Sequence, residues 1–306
     1  MTSDMLYGGI EGGGTKFICI VGKESAEIID EIRFPTTTPQ ETLAKVCEFF
    51  LSYVKASRIR SIGLGSFGPV DLDPLSPTYG YITTTPKPNW ANTNILGILQ
   101  KELSLSIAMD MDVAASALGE FRWGATQGIA PSLYLTVGIG IGGSYILNGK
   151  PLRGLVSLEM GHVRIPHNYQ IDPFMGSCPY HGDCFEGLAN GPAIQNRVGL
   201  PSETLSDDHP FWDVEAGYIA SALANYIFTL PPKKIVLGGG VMRRHFLFDK
   251  IRTKVSQFLN NYLNHPLLTH HLDDYIVPPA LGHLSGALGG IAMAIELQKG
   301  PSFTNP

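Results

Sequence analysis

The same local pattern, a strand, a glycine-rich turn and a second strand, heads each half of the chain. Residues 5–22 read MLYGGIEGGGTKFICIVG, and residues 132–149 read SLYLTVGIGIGGSYILNG. Because glycine turns between apolar runs favour paired strands, each stretch predicts the hairpin that begins a sheet. A chain of 306 residues has room for about two domains. The recurrence therefore predicts two related α/β halves with a cleft between them.

Periodicity and turn residues predict further elements between and after these hairpins. Residues 72–94, rich in Pro, Thr, Gly and Asn, predict a long loop, which in an ordered domain is often functional. Strands are predicted at 61–67, 104–110 and 233–239, and helices at 41–55, 112–124, 211–230 and 284–298, the last rich in Gly and Ala. The order of elements is that of an α/β protein.

Composition excludes several classes of protein. The net charge is −5 and no Lys/Arg run is present, so a nucleic-acid partner is not expected. The N-terminal MTSDMLYGG has no charged segment followed by an apolar one, and no apolar run approaches about 18 residues. We therefore expect a cytoplasmic chain with no secretory leader and no membrane span. In a reducing compartment, the close pair Cys178 and Cys184 favours a metal or redox site over a disulfide.

The first glycine turn, GGIEGGGTK (8–16), resembles a phosphate-binding loop. It is not a Walker A loop, because the glycines and Lys16 are out of order and no helix pattern follows. Successive glycines still let backbone N–H groups face an anion, and Thr15 and Lys16 add side-chain donors. An acid beside a phosphate, as at Glu11, makes sense when a cation lies between them. The alternative for this loop is a tight hairpin turn.

The second glycine turn, GIGIGG (138–143), matches the dinucleotide fingerprint G-x-G-x-x-G literally. That fingerprint must open a helix, whereas the strand-like SYILNG follows here, so the dinucleotide hypothesis is rejected. A hairpin turn is again the alternative. Two such loops, each heading one half, favour nucleotide binding.

Asp110 and Asp112 lie at a predicted strand-to-helix junction. A helix cap would by itself explain Asp112. The functional hypothesis is a general base, because a carboxylate at the carboxyl end of a strand, facing a crevice, is well placed to accept a proton from a substrate hydroxyl.

Cys178, His181 and Cys184 have the spacing C-x-x-H-x-x-C, and His162 lies sixteen residues upstream of the first cysteine. These four side chains form a complete tetrahedral set for zinc. Four protein ligands leave no open position for water, so the predicted site is structural and a zinc hydrolase is disfavoured. His167 is an alternative to His162. Glu159 and Glu186 flank the cluster, either as solvated surface charges or as carboxylates that the metal fixes for binding sugar hydroxyls.

Together these segments resemble the ROK family of sugar kinases. The similarity runs through nearly the whole chain in family order and is closest to the bacterial fructokinases of the family. The segments that carry it are GIEGGGTK, GSFGPVD (65–71), YGYITTTPKPNW (79–90), DMDVAASALGE (110–120), TVGIGIGG (136–143), EMGH (159–162), CPYHGDCFEGLANGPA (178–193) and VLGGGVM (236–242).

The resemblance implies a two-domain actin/hexokinase-like (ribonuclease H-like) ATPase fold with an interdomain active-site cleft. Residues 1–118 would form the N-terminal α/β domain, residues 119–283 the C-terminal α/β domain, and residues 284–300 a closing helix that packs back on the first. It also implies a homodimer. The family's repressors carry an extra N-terminal DNA-binding region, and because the first glycine loop of this sequence starts at residue 8, a repressor is not expected.

The implied reaction is ATP-dependent phosphorylation of D-fructose at its 6-hydroxyl, with Asp112 as general base, Mg²⁺ bound with the nucleotide, and a structural Zn²⁺ on His162, Cys178, His181 and Cys184. The implied sugar contacts are Gly68, Pro69, Asp112, Glu159, His162 and Glu186. The implied nucleotide contacts are Glu11, Gly12, Gly13, Gly14, Thr15, Lys16, Thr136, Gly138, Gly140, Pro192, Gly238, Gly239, Gly240, Val241 and Met242.

Two positions depart from the family pattern around the base. Met111 and Ala114 stand where many relatives have asparagine, so a side chain that touches sugar in those relatives is absent. The alternatives are therefore a kinase of another hexose, such as mannose or glucose, and a sugar-binding regulator without turnover.

Overall fold

A computed structural model describes residues 5–299, which divide into two compact units. The first comprises the described chain up to Gln127 together with the segment from His283 onward, and the second is Gly128–Gly282. The sequence-based boundary at 118/119 falls within the helix Asp112–Trp123. Within residues 5–299, every helix is too short or too polar to cross a membrane.

The first unit is built on a five-stranded sheet in which an antiparallel meander adjoins a parallel pair of strands. Its order is β3-β2-β1-β4-β5, with β1 antiparallel to β2 and parallel to β4. The strands are β1 (Leu6–Gly12), β2 (Lys16–Gly22), β3 (Ile28–Pro35), β4 (Ile59–Ser66) and β5 (Ile107–Met111).

The second unit repeats that topology. Its strands are β6 (Ser132–Val137), β7 (Ile141–Leu147), β8 (Lys150–Pro151), β9 (Ile235–Gly238) and β10 (Ile276–Val277). Their order is β8-β7-β6-β9-β10, with β6 antiparallel to β7 and parallel to β9. The two sheets therefore have the same strand order and directions, as the repeated hairpin pattern predicts.

Ten α-helices lie within residues 5–299, four of them in the first unit and six in the second. Those of the first unit are α1 (Pro39–Lys55), α2 (Ile95–Leu103), α3 (Asp112–Trp123) and α10 (Ser285–Lys299). Those of the second are α4 (Phe185–Ala189), α5 (Gly191–Val198), α6 (Phe211–Thr229), α7 (Phe246–Leu259), α8 (Pro266–Thr269) and α9 (Leu272–Tyr275).

The glycines of the closing helix α10 allow it to pack directly on backbone. It lies against β1, β4 and α3. A Cβ added at Gly63 of β4 would overlap the carbonyl of Gly290, and one added at Gly289 would overlap the carbonyl of Ala115. Only glycine permits such a close approach, so the Gly/Ala-rich composition of this segment reflects packing.

The predicted loop at 72–94 is held to the core of the first unit by buried apolar side chains. Ile82 and Trp90 are fully buried, and the Trp90 ring stacks with Phe17 of β2. Its indole Nε1 donates a hydrogen bond to the carbonyl of Thr37 at 2.8 Å. The loop is therefore an ordered part of the first unit.

Candidate active site

The carboxyl ends of β1, β4 and β5 lie at one edge of the first sheet. Gly12, the last residue of β1, pairs with Ser66 of β4, which in turn pairs with Met111 of β5. The segments that follow these three strands are the first glycine turn, the stretch from residue 67 onward, and α3. The register thus brings three of the sequence-predicted segments to one edge, the usual place for a ligand site in α/β sheets.

The first glycine turn joins β1 to β2 as a tight hairpin. Gly13 N donates to the Lys16 carbonyl at 2.9 Å, and Thr36 Oγ1 donates to the Gly13 carbonyl at 2.7 Å. Glu11 Oε1 lies 3.8 Å from Lys16 Nζ. Burial raises the pKa of the Glu11 carboxyl, while the positive charges of Lys16 and Arg33 lower it. A half-buried acid beside a lysine has the chemistry to approach a cation or its water shell.

Glycine occupies the positions of this turn for different reasons. A Cβ at Gly12 would lie 2.9 Å from the Phe17 ring, so packing explains that residue. A Cβ at Gly14 would meet nothing within 4 Å, and its φ lies outside the left-handed region. Neither packing nor backbone conformation within the chain therefore demands glycine at Gly14. A bound group that approaches the backbone closely is one cause that remains.

Asp112 is the first residue of α3, and Met111 occupies the N-cap position without a side-chain cap. Asp112 Oδ1 accepts a hydrogen bond from Val113 N at 2.8 Å. The side chain is half-buried, whereas Asp110 is buried and accepts from Met111 N at 2.7 Å. Asp112 thus lies next to the N-cap rather than at it, and its bond to Val113 N is a local contact within the first turn.

The predicted segment GSFGPVD (65–71) lies beside the start of α3. A Cβ at Gly65 of β4 would lie 3.3 Å from Asp112 Cα. Gly68, in a cis peptide bond with Pro69, is so close to the Met111 thioether that a Cβ there would lie 2.9 Å from Sδ. The predicted sugar contacts Gly68 and Pro69 thus lie beside the residue that precedes Asp112.

The second sheet carries a corresponding edge. Thr136 of β6 pairs with Gly238 of β9, so the second glycine turn and the loop Gly239–Met242 leave the sheet side by side. Gly239 has a φ of +97°, and a Cβ there would overlap the Val137 carbonyl, so this position requires glycine. The strand β7 follows this turn, where a dinucleotide-binding fingerprint would require a helix.

The second glycine turn is fastened to the helices α4 and α5. Gly138 N donates to the Gly140 carbonyl at 2.9 Å, and Gly191 N donates to the Gly138 carbonyl at 2.7 Å. Ile141 N donates to Glu186 Oε2 at 2.8 Å. Glu186 is therefore not a solvated surface charge but a half-buried carboxylate against the turn. The exposed Pro192 lies in the first turn of α5.

Asn190 is a residue of this region that sequence reasoning missed. Its Nδ2 donates to the Ile139 carbonyl at 2.9 Å, while its Oδ1 caps α5 by accepting from Ala193 N at 2.8 Å. The sequence Asn-Gly-Pro at 190–192 is a helix-start signal that would have found it.

The four predicted metal ligands come together in the second unit. One donor atom from each of His162, Cys178, His181 and Cys184 lies within 4.8 Å of the others. Cys178 Sγ is 3.8 Å from His162 Nδ1 and 3.6 Å from His181 Nδ1, and Cys184 Sγ is 3.6 Å from His162 Nδ1. Tetrahedral zinc, with bonds of about 2.3 Å to sulfur and 2.0 Å to nitrogen, gives S···N edges of about 3.5 Å. The donor set therefore fits zinc in chemistry and in spacing.

Local backbone geometry forms this cluster. Cys178 and Gly182 exchange backbone hydrogen bonds of 3.2 and 2.9 Å, with Gly182 at a φ of +63°. Cys184 is the N-cap of α4, and its Sγ accepts from Gly187 N at 3.5 Å. Burial raises the pKa of the Cys184 thiol to about 11, so metal binding there must displace a proton.

His167, the alternative to His162, lies outside the cluster. Its Nε2 is 2.9 Å from the Asp172 carbonyl, and its Nδ1 is 3.4 Å from Asp183 Oδ2. Both ring nitrogens are thus engaged by oxygens, so His162 is the histidine that the structure brings to the two cysteines.

Glu159 immediately precedes the single 3-10 turn that contains His162. It keeps an exposed surface, yet desolvation of its carboxyl raises its pKa, with a lowering contribution from His162 and a raising one from Glu186. Glu159 and Glu186 are therefore close enough for their charges to interact. Two carboxylates beside one cluster form an acceptor-rich surface suited to hydroxyl groups.

Comparisons with known proteins find a family match over nearly the whole chain. A sequence model described as the ROK family matches residues 7–297. A fructokinase from Lactococcus lactis subsp. cremoris is 44% identical over 95% of this chain and 97% of its own length. A fructokinase from Streptococcus mutans serotype c is 42% identical over 95% of this chain and 98% of its own length.

The structural comparison concerns the fold. A ROK hexokinase from Thermus thermophilus matches with a TM-score of 0.79 at 26% identity, over 97% of this chain and 100% of that one. This similarity confirms the predicted fold class, an α/β actin/hexokinase-like fold.

Proposed function

Since this chain belongs to the ROK family, we propose that it catalyses ATP-dependent phosphorylation of D-fructose to fructose 6-phosphate. The choice of fructose is supported by the two fructokinases that share 44% and 42% identity with the chain over nearly its full length. The observation that carries the assignment within the molecule is the first-sheet edge, where a glycine turn follows β1 and a half-buried carboxylate follows β5, the two strands on either side of β4.

Asp112 is the proposed general base. Its Oδ1 accepts a hydrogen bond from Val113 N, and this bond fixes the carboxylate at the start of α3. Accepting that proton makes the sugar oxygen a better nucleophile toward the terminal phosphorus of ATP. Positioning and charge neutralisation dominate such transfers, so one well-placed carboxylate is an adequate base.

The two glycine turns and the loop at 238–242 are proposed to hold the nucleotide. Turns with exposed backbone amides cradle phosphate oxygens, and the open space at Gly14 supports this role for the first of them. The donor chemistry of Glu11 fits Mg²⁺ or its water shell. When bound, Mg²⁺ neutralises charge on the phosphates.

His162, Cys178, His181 and Cys184 are proposed to hold a structural Zn²⁺. When bound, the metal supplies cross-linking rather than Lewis-acid chemistry, because four protein ligands fill its coordination shell. The segments that carry Glu159 and Glu186 each begin or end at a ligand, so the cluster fixes both carboxylates for binding sugar hydroxyls.

We further propose a homodimer in the cytoplasm. ATP as the co-substrate supports the location, and light scattering during size exclusion tests the oligomeric state. A monomer at micromolar concentration would contradict the dimer.

The test of the activity is a coupled assay of ADP release over a panel of hexoses and amino sugars. We expect the highest kcat/KM for fructose and a product phosphorylated at O6. A preference for mannose or glucose would assign a different sugar to the same site. If the protein binds a sugar but releases no ADP with any sugar of the panel, the result would instead support the sugar-binding regulator.

A further inference from the structure

Arg197, near the end of α5, joins two segments that lead to the metal cluster. Its Nε donates to Asp172 Oδ1 at 3.0 Å, and its Nη2 donates to the Leu188 carbonyl at 2.9 Å. The arginine side chain is 10% exposed and that of Asp172 is 5% exposed, so both bonds are shielded from solvent. A planar guanidinium makes these two bonds from separate nitrogens held in one rigid plane, whereas all three donors of a lysine lie on one nitrogen.

Aromatic rings fix the plane of this guanidinium. The Phe174 centroid lies 4.4 Å from Arg197 Cζ and the Phe211 centroid 5.0 Å from it. The Tyr218 hydroxyl donates to the other oxygen of Asp172 at 2.5 Å. Hydrogen bonds to Tyr218 and Arg197, together with the arginine's charge, lower the pKa of Asp172 against the opposing effect of its burial. The pair is therefore ionised and rigidly held.

The held segments are those that present the metal ligands. Asp172 and Phe174 lie on the stretch that runs directly to Cys178. Leu188 lies in α4, whose N-cap is Cys184 and whose first turn carries Glu186. The Arg197 side chain thus links the segment that leads to Cys178 with α4, the helix that Cys184 caps.

We propose that Arg197 is a positioning residue that holds Cys184 and Glu186 in register with Cys178, and so sets sugar affinity and metal retention. The inference rests on the proposed function for its sugar readout. Groups that orient metal ligands in this way change metal affinity or activity by about 10–100-fold when they are removed.

The interior around Arg197 contains further polar groups. Its Nη1 and both carboxylate oxygens of Glu215 are buried without a hydrogen-bond partner among the described residues. Replacing Arg197 would leave Asp172 as a buried charge without its cation, which lowers stability whatever the positioning role. The test therefore needs readouts that a loss of stability alone does not move.

The experiment uses the purified zinc-containing enzyme with Arg197→Lys and Arg197→Met. Arg244→Met is the matched control, since Arg244 also stacks on an aromatic ring, Trp212, at 5.0 Å and donates to a backbone carbonyl, that of Ser202, at 3.0 Å. The measurements are KM for fructose and for ATP, kcat, fructose binding by calorimetry, and the rate of zinc release to a chromogenic chelator.

For Arg197→Lys we expect KM and Kd for fructose to rise about tenfold or more, and zinc release to accelerate by a similar factor, with KM for ATP changed much less. Arg244→Met should lower Tm without changing any of these. Fructose affinity and zinc release within about twofold of wild type in Arg197→Lys would overturn the proposal, whatever happens to Tm.

If Arg197→Met does not fold, Arg197→Lys decides the question. If wild type fails to phosphorylate fructose, the proposed function fails, whereas the zinc-release comparison still tests Arg197 alone.

Discussion

Asp112→Asn separates catalysis from structure, because the amide keeps the shape of the carboxylate and its bond to Val113 N. Asp112 Oδ1 accepts from Val113 N at 2.8 Å, and the Oδ1 of asparagine accepts equally well. The side chain is half-buried at the first position of α3. Because asparagine has nearly the same shape as aspartate, the replacement removes no packed volume. What is lost is the negative charge, and with it the ability to take a proton.

The two consequences differ in size. Loss of a general base slows turnover by about 10²–10⁴, which corresponds to about 3–5 kcal/mol of activation free energy. Loss of an acid from the first turn of a helix costs about 0.3–1 kcal/mol of folding stability. In a unit of this size that cost lowers Tm by at most about 4 °C. We therefore expect kcat to fall at least about 100-fold with little change in Tm.

The assay is coupled ADP release at saturating fructose and ATP, alongside a thermal unfolding curve. Glu41→Gln is the matched control, because Glu41 is an exposed acid in the first turn of α1, in the same unit. It should lose a similar increment of Tm and no turnover. A kcat within about tenfold of wild type in Asp112→Asn would refute the role of Asp112 as the base.

Three further predictions concern other parts of the molecule. Gly14→Ala should raise KM for ATP about tenfold or more, while Tm stays unchanged or rises because the added Cβ meets open space. Gly12→Ala should lower Tm, since its added Cβ would contact the Phe17 ring. An unchanged KM for ATP in Gly14→Ala would count against the phosphate role. Cys178→Ser should lose zinc by elemental analysis and raise KM for fructose, while Cys47→Ser, a cysteine outside the cluster, should retain both; a zinc-free wild type would end the metal hypothesis. Glu215→Gln should stabilise the protein more at pH 8 than at pH 5. Burial raises the folded-state pKa of Glu215, so the stability of the wild type falls as pH rises above the unfolded-state pKa of about 4.3. A Tm difference between variant and wild type that does not vary with pH would contradict this account.

Sequence patterns sufficed wherever neighbours along the chain determine structure. The hairpins at each sheet, the helices α1, α3, α6 and α10, and the strand β9 follow from local periodicity and turn residues. The metal cluster could also be predicted from the sequence, because three of its ligands lie within seven residues and their chemistry is specific.

Other elements carry weak local signals. The edge strand β3 has mostly exposed side chains and therefore lacks the apolar alternation that identifies a strand. The short α4 has only five residues, too few for a periodic pattern. Strand β7 of the second sheet begins at Ile141, three residues earlier than the sequence pattern predicts. The reason is that Gly142 and Gly143 belong to the strand and pair with β6.

Polar contacts between residues far apart in the sequence could not be predicted from local sequence patterns. Arg197 and Asp172 are twenty-five residues apart, and nothing in their local patterns distinguishes them from surface charges. The same holds for the partners of His167, which decide that it does not join the cluster. Such pairs depend on tertiary packing, which single-chain periodicity does not encode.

The position of α10 has a consequence for synthesis of the protein. This helix, which covers the glycine faces of β1 and β4, is made after the whole of Gly128–Gly282. At about 5–20 residues per second, its arrival follows the first 127 residues by roughly 10–30 s. During that interval on the ribosome the first unit lacks the helix that packs on its sheet, whereas the second can complete its own core. We therefore expect the second unit to fold first co-translationally, and expect nascent chains stalled before residue 283 to be captured by chaperones through the uncovered strands β1 and β4.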